Sequence, residues 1–395
     1  MTDTLRSILT MFAIGLVFIP AVGFGAPGAG KPANIRARQK DSSDEKDSSG
    51  KKKPDKKEPF SIRRLSVGMH LHTVGPVSPD GQTVVLVGRK HDSAPNLYVM
   101  ELKGFYSEHQ VTNFRVGADN PVWSPAGDMI AFDGVQVAGL SQVYVLTVAS
   151  GETHAVTHNN FTNRNPVFTP DGKRLLFTSD ESPLPDAAFG IAHIASAPIT
   201  QGKKPDYFTE DETSSILPRI SPDGKSVFLV KVDEQSGRHS LWEYGPDGKE
   251  RRDLTSDHLA RIHSYVVNAN SGSVVLWGQE RAERQEDIYI LDLKTGSLNS
   301  LPEPDLPKRN PAVSPDGKLI AFIGPAGDGD YLFLYDSATG QIEQLSKKGQ
   351  HSFTPVFTSN QTILFGSDRA AEQEGDFNEV YSVDLTSPTS PPKKK

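Results

Sequence analysis

The chain has 395 residues, 36% of them hydrophobic and 23% charged, which suits a soluble body with a sizeable core. It contains no cysteine, which excludes disulfides, zinc–thiolate sites, a thiol nucleophile and a lipid-modified cysteine anchor. The net charge of −7 is unevenly spread: ten basic and six acidic residues lie between positions 26 and 58, and three lysines end the chain. The remainder is therefore more acidic than the whole, and an acidic body repels phosphate backbones, which argues against nucleic acid as a partner.

Residues 8–22 form an apolar run preceded by Arg6 and followed by the small residues Gly23, Gly25 and Ala26. This is the layout of a secretory signal peptide, and the run is shorter than the roughly 20 apolar residues of a membrane span. Residues 1–25 are thus expected to be a signal peptide, with an uncleaved anchor helix as the alternative. Either delivers the body to the periplasm or outside the cell, and cleavage leaves no membrane span in the mature chain. Residues 26–59 are polar, with Lys51, Lys52, Lys53, Lys56 and Lys57 close together. They are expected to be a disordered basic linker, either a plain spacer or a contact to an anionic surface. Residues 387–395 read as a similar tail.

From residue 60 to 386 one phrase recurs: Val77-Ser-Pro-Asp-Gly81, Trp123-Ser-Pro-Ala-Gly127, Phe168-Thr-Pro-Asp-Gly172, Ile220-Ser-Pro-Asp-Gly224 and Val313-Ser-Pro-Asp-Gly317. Weaker copies stand at 267–272 and 357–361. Proline presets the second position of a type I turn, Asp suits the third and Gly takes the left-handed fourth, so each phrase is a hairpin turn. An apolar run follows each, such as Val84-Val-Leu-Val87 or Leu319-Ile-Ala-Phe-Ile323. Then comes a strand centred on an aromatic, such as Leu97-Tyr-Val99 or Ile288-Tyr-Ile290. A shorter fourth strand ends near Thr112, Thr157, Thr209, Thr255, Leu301 and Ser346. Four strands in about 45 residues make one propeller blade.

The seventh copy ends near Leu385 without a fourth strand, and residues 63–66 ahead of the first copy read like the missing one. The expectation is an all-β, seven-bladed β-propeller closed by an N-terminal strand, or six blades if the copy near Asn268 is not a true one. Closure removes the exposed sheet edges, and a monomer is expected.

The Ser-Pro-Asp-Gly turn, the apolar strand and turns such as Asp292-Leu-Lys-Thr-Gly296 and Asp336-Ser-Ala-Thr-Gly340 resemble the WD40-like repeats of the TolB family over residues 60–386. The resemblance implies a propeller of the cell envelope whose partner is another protein, in that family a peptidoglycan-associated lipoprotein. Two features depart from it: a basic linker replaces the family's N-terminal α/β domain, and seven blades replace six. The same repeat builds the gating propellers of prolyl-oligopeptidase-like proteases, but this chain has no Gly-x-Ser-x-Gly elbow.

No nucleotide loop, His-Glu-x-x-His or calcium loop is present, and no cofactor is expected. The face onto which the blade-to-blade connections open is the natural binding site. It gathers Arg115, Asn163, Arg164, Arg219, His263, Arg309, Asn310 and His351, groups suited to a peptide carboxylate or a sugar acid. Asn120, Asn165 and Asn310 could instead merely shape the approach to Pro121, Pro166 and Pro311. His70 and His72 could be two metal ligands or ordinary surface residues, as could His154 and His158. Residues 327–330 read as a hairpin turn.

Two functions fit. The first is a non-catalytic scaffold for an envelope or extracellular protein or peptide. The second is a channel enzyme resembling oligogalacturonate lyases, which requires three or more of His70, His72, His263 and His351 to converge on one metal ion.

Overall fold

The computed structural model describes residues 60–386 apart from 69, 91–92, 105, 136–138, 183–190, 201–202, 250, 269–270, 282, 304, 328, 347–350 and 369–377. The expected signal peptide, linker and tail lie outside the described residues. These contain strands, one 3-10 turn at Ser256–His258 and no α-helix. They form seven four-stranded antiparallel sheets. Six are built from consecutive strands, over 70–110, 117–155, 163–207, 214–253, 261–300 and 309–344, here blades 1 to 6. Blade 7 combines Ser352–Ser359, Thr362–Ser367 and Glu379–Asp384 with the N-terminal strand Ser61–Arg64. The first strand of each blade lies at one edge of its sheet, and most first strands touch those of their neighbours, making the inner wall of a ring. The copy near Asn268 is a complete blade, so the six-blade alternative falls.

Each recurrent turn is held by its own side chains. Ser78 Oγ donates to Asp80 Oδ1 (2.6 Å) and accepts from the Thr83 amide (3.0 Å), while Gly81 sits at φ 69°. Thr169 with Asp171, Ser221 with Asp223, and Ser314 with Asp316 repeat the arrangement. Those hydroxyl hydrogen bonds hold the four carboxyls below the usual carboxylate range. Blade 2 has Ala126 in the aspartate position, and there Ser124 turns to Asp128 instead (2.7 Å).

A second device explains the hydroxyl residue at the end of the fourth strand. An amide in the first half of the third strand donates to it in six blades: Leu97 to Thr112, Val143 to Thr157, Ile194 to Thr209 and Leu241 to Thr255 (each 2.9 Å), Leu332 to Ser346 (2.8 Å), and Val380 to Ser66 (2.9 Å). All six hydroxyl residues are buried, so each satisfies an amide that water cannot reach. Blade 5 has Pro302 at the corresponding place. Asp287 Oδ1 accepts from the Ile288 amide instead (2.7 Å), and the buried Lys308 compensates its charge at 3.0 Å.

The closing strand is Ser61–Arg64, pairing from Ser61 with Asp384 to Arg64 with Tyr381, two residues earlier than the sequence suggested. Leu65 and Ser66 follow as an anchor. Ser66 Oγ and the Gly68 amide donate to the two oxygens of buried Glu379, each at 2.5 Å. Between blades the core is apolar. Phe114, Phe132 and Tyr144 pack with centroids 4.7–5.7 Å apart. Gly134 leaves the space they fill, since a Cβ there would lie 2.5 Å from the Phe114 ring.

Candidate functional site

The connections between blades and the loops from second to third strands open on one face, the mouth; the Ser-Pro-Asp-Gly turns open on the other. Every first strand carries a β-bulge near the mouth. In five blades the bulge holds a non-glycine residue in the left-handed region just before a proline: Asn120 (49°), Asn165 (56°), Leu217 (54°), Asn310 (52°) and Thr354 (41°). Asparagine tolerates that conformation, so Asn120, Asn165 and Asn310 shape the backbone whatever else they do.

The bulges also tie blades together. The Leu217 amide donates to Thr178 Oγ1 (3.2 Å) and the Val74 amide to Thr354 Oγ1 (3.0 Å). Asp133 of blade 2 accepts from Asn120 Nδ2 (2.7 Å) and from the Asn165 amide of blade 3 (2.9 Å). Asp133 is 6% exposed, and burial pushes its carboxyl up to about 7 even against those two donors.

The structure brings four of the expected residues into one sector of the mouth, over blades 5 to 7. Arg309 Nη2 lies 2.5 Å from Asp330 Oδ2. The Asp330 amide donates to His351 Nδ1 (3.4 Å), and the His351 amide donates to Asp368 Oδ1 (2.7 Å). Asn310 follows Arg309 in the bulge. One blade back, the His263 ring lies 4.7 Å from that of Trp277, tilted by 34°. Trp277 Nε1 donates to Glu286 Oε2 (3.2 Å), and His263 Nε2 stands 3.5 Å from Glu286 Oε1, beyond a well-formed hydrogen bond. Burial lowers the His263 pKa, against the pull of Glu286, so the imidazole is held toward its neutral form.

The others lie elsewhere. Arg164 faces Asp180 at 3.6 Å on blade 3. Asn163 is buried, and its amide nitrogen donates to Asn159 Oδ1 (2.8 Å) and the Phe161 carbonyl (3.1 Å). Arg115 is exposed in the connection before blade 2. Arg219 lies past its bulge, 5.9 Å from the Tyr265 ring centroid, and donates to the Pro218 carbonyl.

The histidines do not converge. His70 and His72 are on blade 1 beside Arg89, whose charge adds to burial in lowering the His72 pKa and opposes a metal cation. His154 Nε2 meets the Ile199 carbonyl (2.7 Å) and joins blades 2 and 3. Among the described residues no group of three or more His, Asp or Glu is arranged to hold a metal ion. Ala326 pairs with Gly329 where the second and third strands of blade 6 meet, and the next residue, Asp330, is the Arg309 partner.

Trp277, Glu286 and Asp133 escaped the sequence reading. One signal was present: counted from the turn glycine, the strand position of Asp133 is filled by Val87, Thr178, Val230 and Ile323 elsewhere, so a carboxylate stands out.

Residues 61–260 match the TolB beta propeller domain family, half of the chain. The chain belongs to that family. Among curated relatives, an uncharacterized peptidase, YuxL, of Bacillus subtilis is 27% identical over 28% of this chain and 22% of its own length. The Tol-Pal system protein TolB of Francisella tularensis subsp. holarctica is 23% identical over 66% of this chain and 56% of its own length. The chain thus spans less than two thirds of the length of these relatives. Oligogalacturonate lyase from Vibrio parahaemolyticus superposes with a TM-score of 0.63 at 15% identity, over 82% of this chain and 93% of that one, a likeness of fold alone.

Proposed function

We propose that this TolB-like propeller is an envelope scaffold that binds a protein or peptide partner at its mouth, without turnover. The observation that carries the reading is the set of polar groups over blades 5 to 7: Glu286 with Trp277 and His263, and Arg309, Asp330, His351 and Asp368 linked by one ion pair and two backbone amides. These groups provide donors and acceptors for a polar partner. Three of the four exposed large apolar residues among the described residues lie on the same face: Val67 is 70% exposed, and Val116 and Leu140 are each 42% exposed. Family membership supports a protein partner, and the apolar run at 8–22 supports export.

The test is capture from an envelope extract with the tagged full chain. It is paired with a mouth variant, Asp330→Ala with His351→Ala, and a turn-face variant, Lys318→Ala with Asp316→Ala. One stoichiometric protein held by wild type and the turn-face variant, and lost by the mouth variant, supports the reading. Equal capture by all three, or turnover of an acidic oligosaccharide by the purified chain, overturns it.

A further inference from the structure

Cationic side chains in this molecule are repeatedly held by an aromatic ring together with a polar acceptor. Lys231 Nζ pairs with Asp211 and stands 5.1 Å from the Trp242 ring centroid and 5.9 Å from that of Tyr244. A cation within about 6 Å of an aromatic centroid is attracted by the ring, and a carboxylate adds a charge-assisted hydrogen bond.

Blade 5 presents the same two components without the cation. Trp277 is half-buried at the mouth and its indole nitrogen is tied to Glu286 Oε2, which fixes the ring and the carboxylate relative to each other. Four other mouth carboxylates have a cationic partner: Asp180 has Arg164, Asp211 has Lys231, Asp287 has Lys308 and Asp330 has Arg309. Among the described residues Glu286 forms no ion pair with a lysine or arginine. Its remaining neighbour, His263, is 3.5 Å away and held toward neutrality by burial. The Glu286 side chain is one-third exposed, so Oε1 can be approached from the mouth.

We infer that Trp277 and Glu286 form a subsite for the ammonium group of a lysine supplied by the partner. The inference rests on the binding reading above and gives that partner a chemistry, a basic segment entering the mouth at blade 5. His263 acts as a positioning residue, packing against the indole and keeping the carboxylate on the mouth side. The location is one where the blade departs most from its repeat: the turn phrase is degenerate, Pro302 replaces the latch hydroxyl, and a partly exposed Trp277 stands where the other blades have buried or smaller residues.

The chain holds three tryptophans, so the full protein labelled with 5-fluorotryptophan gives three fluorine resonances, and Trp277→Phe assigns the relevant one. The probe is acetyl-trilysine amide, with acetyl-triglutamine amide as control. The Trp277 resonance moves saturably with trilysine and not with triglutamine, while those of Trp123 and Trp242 stay in place. Glu286→Gln weakens the response about tenfold, equivalent to about 1.4 kcal/mol, with the Trp123 and Trp242 resonances unchanged as evidence of an intact fold. An unmoved Trp277 resonance, an equal response to triglutamine, or full binding by Glu286→Gln overturns the inference. Any of these with partner capture intact removes the subsite alone, whereas loss of capture specificity removes the binding reading itself.

Discussion

Asp133 makes the stability of the propeller depend on pH in a direction unusual for a carboxylate. Its carboxyl titrates near 7 in the folded chain and near 3.8 when unfolded, so between those values the native state binds the extra proton. Stability from this group is full below about pH 4 and is lost as pH rises through 7. The difference of about three units corresponds to about 4 kcal/mol. For a domain of this size 1 kcal/mol moves the midpoint by about 1.5 °C, so the expected fall is about 6 °C. Asp133→Asn removes the charge. Its side-chain oxygen can accept from both Asn120 Nδ2 and the Asn165 amide, because Asp133 Oδ2 already lies 2.7 and 3.1 Å from them. The amide nitrogen is left without an acceptor, at a cost of about 1 kcal/mol at every pH. Thermal unfolding at pH 3.5 and 8.5 should therefore show the variant slightly less stable than wild type at the lower pH and more stable at the higher. Parallel pH profiles for the two proteins would refute the assignment of a buried, proton-binding Asp133.

Thr157→Val keeps the shape of the latch but leaves the Val143 amide without its acceptor, and denaturant unfolding should show a loss of about 1–3 kcal/mol. Lys308→Met strands Asp287 in the interior at a cost of roughly 3–5 kcal/mol, and adding Asp287→Asn should recover much of it, measured in the same way. Gly134→Ala places a methyl against Phe114 and Tyr144 and should destabilise by about 1–3 kcal/mol, visible as a lower Tm. Removing residues 60–68 takes away the closing strand and the two donors to Glu379. It should expose the edge of Glu379–Asp384 and produce concentration-dependent aggregation by light scattering.

The blade count, the turns and the closing strand were legible because each is local chemistry repeated at near-constant spacing. The hydroxyl latch was legible as a position, since Thr112, Thr157, Thr209 and Ser66 each stand thirteen residues before a marker, though its hydrogen bond was not. Blade 5 was harder for the same reason. Its devices are replaced one for one, Pro302 for the hydroxyl and Asp287 with Lys308 for the amide's acceptor, and the replacements are 21 residues apart in the chain.

The candidate site was only half legible. Arginines and histidines announce themselves in a connection, but which carboxylate meets them depends on how the strands of a blade are offset. Arg309 meets Asp330 across two strands of its own blade, a pairing that the bulge at Asn310 sets. Trp277 was hidden because it stands inside an apolar run, where nothing in the sequence marks its partial exposure.

The central claim is that the mouth, and not the turn face, receives the partner. A photo-crosslinking residue placed at His351 on the mouth, or at Lys318 on the turn face, in the full chain within its native envelope tests it most directly. The account predicts one discrete adduct from position 351, competed by acetyl-trilysine amide, and none from 318. An adduct from 318 alone, or the same adducts from both positions, would contradict it.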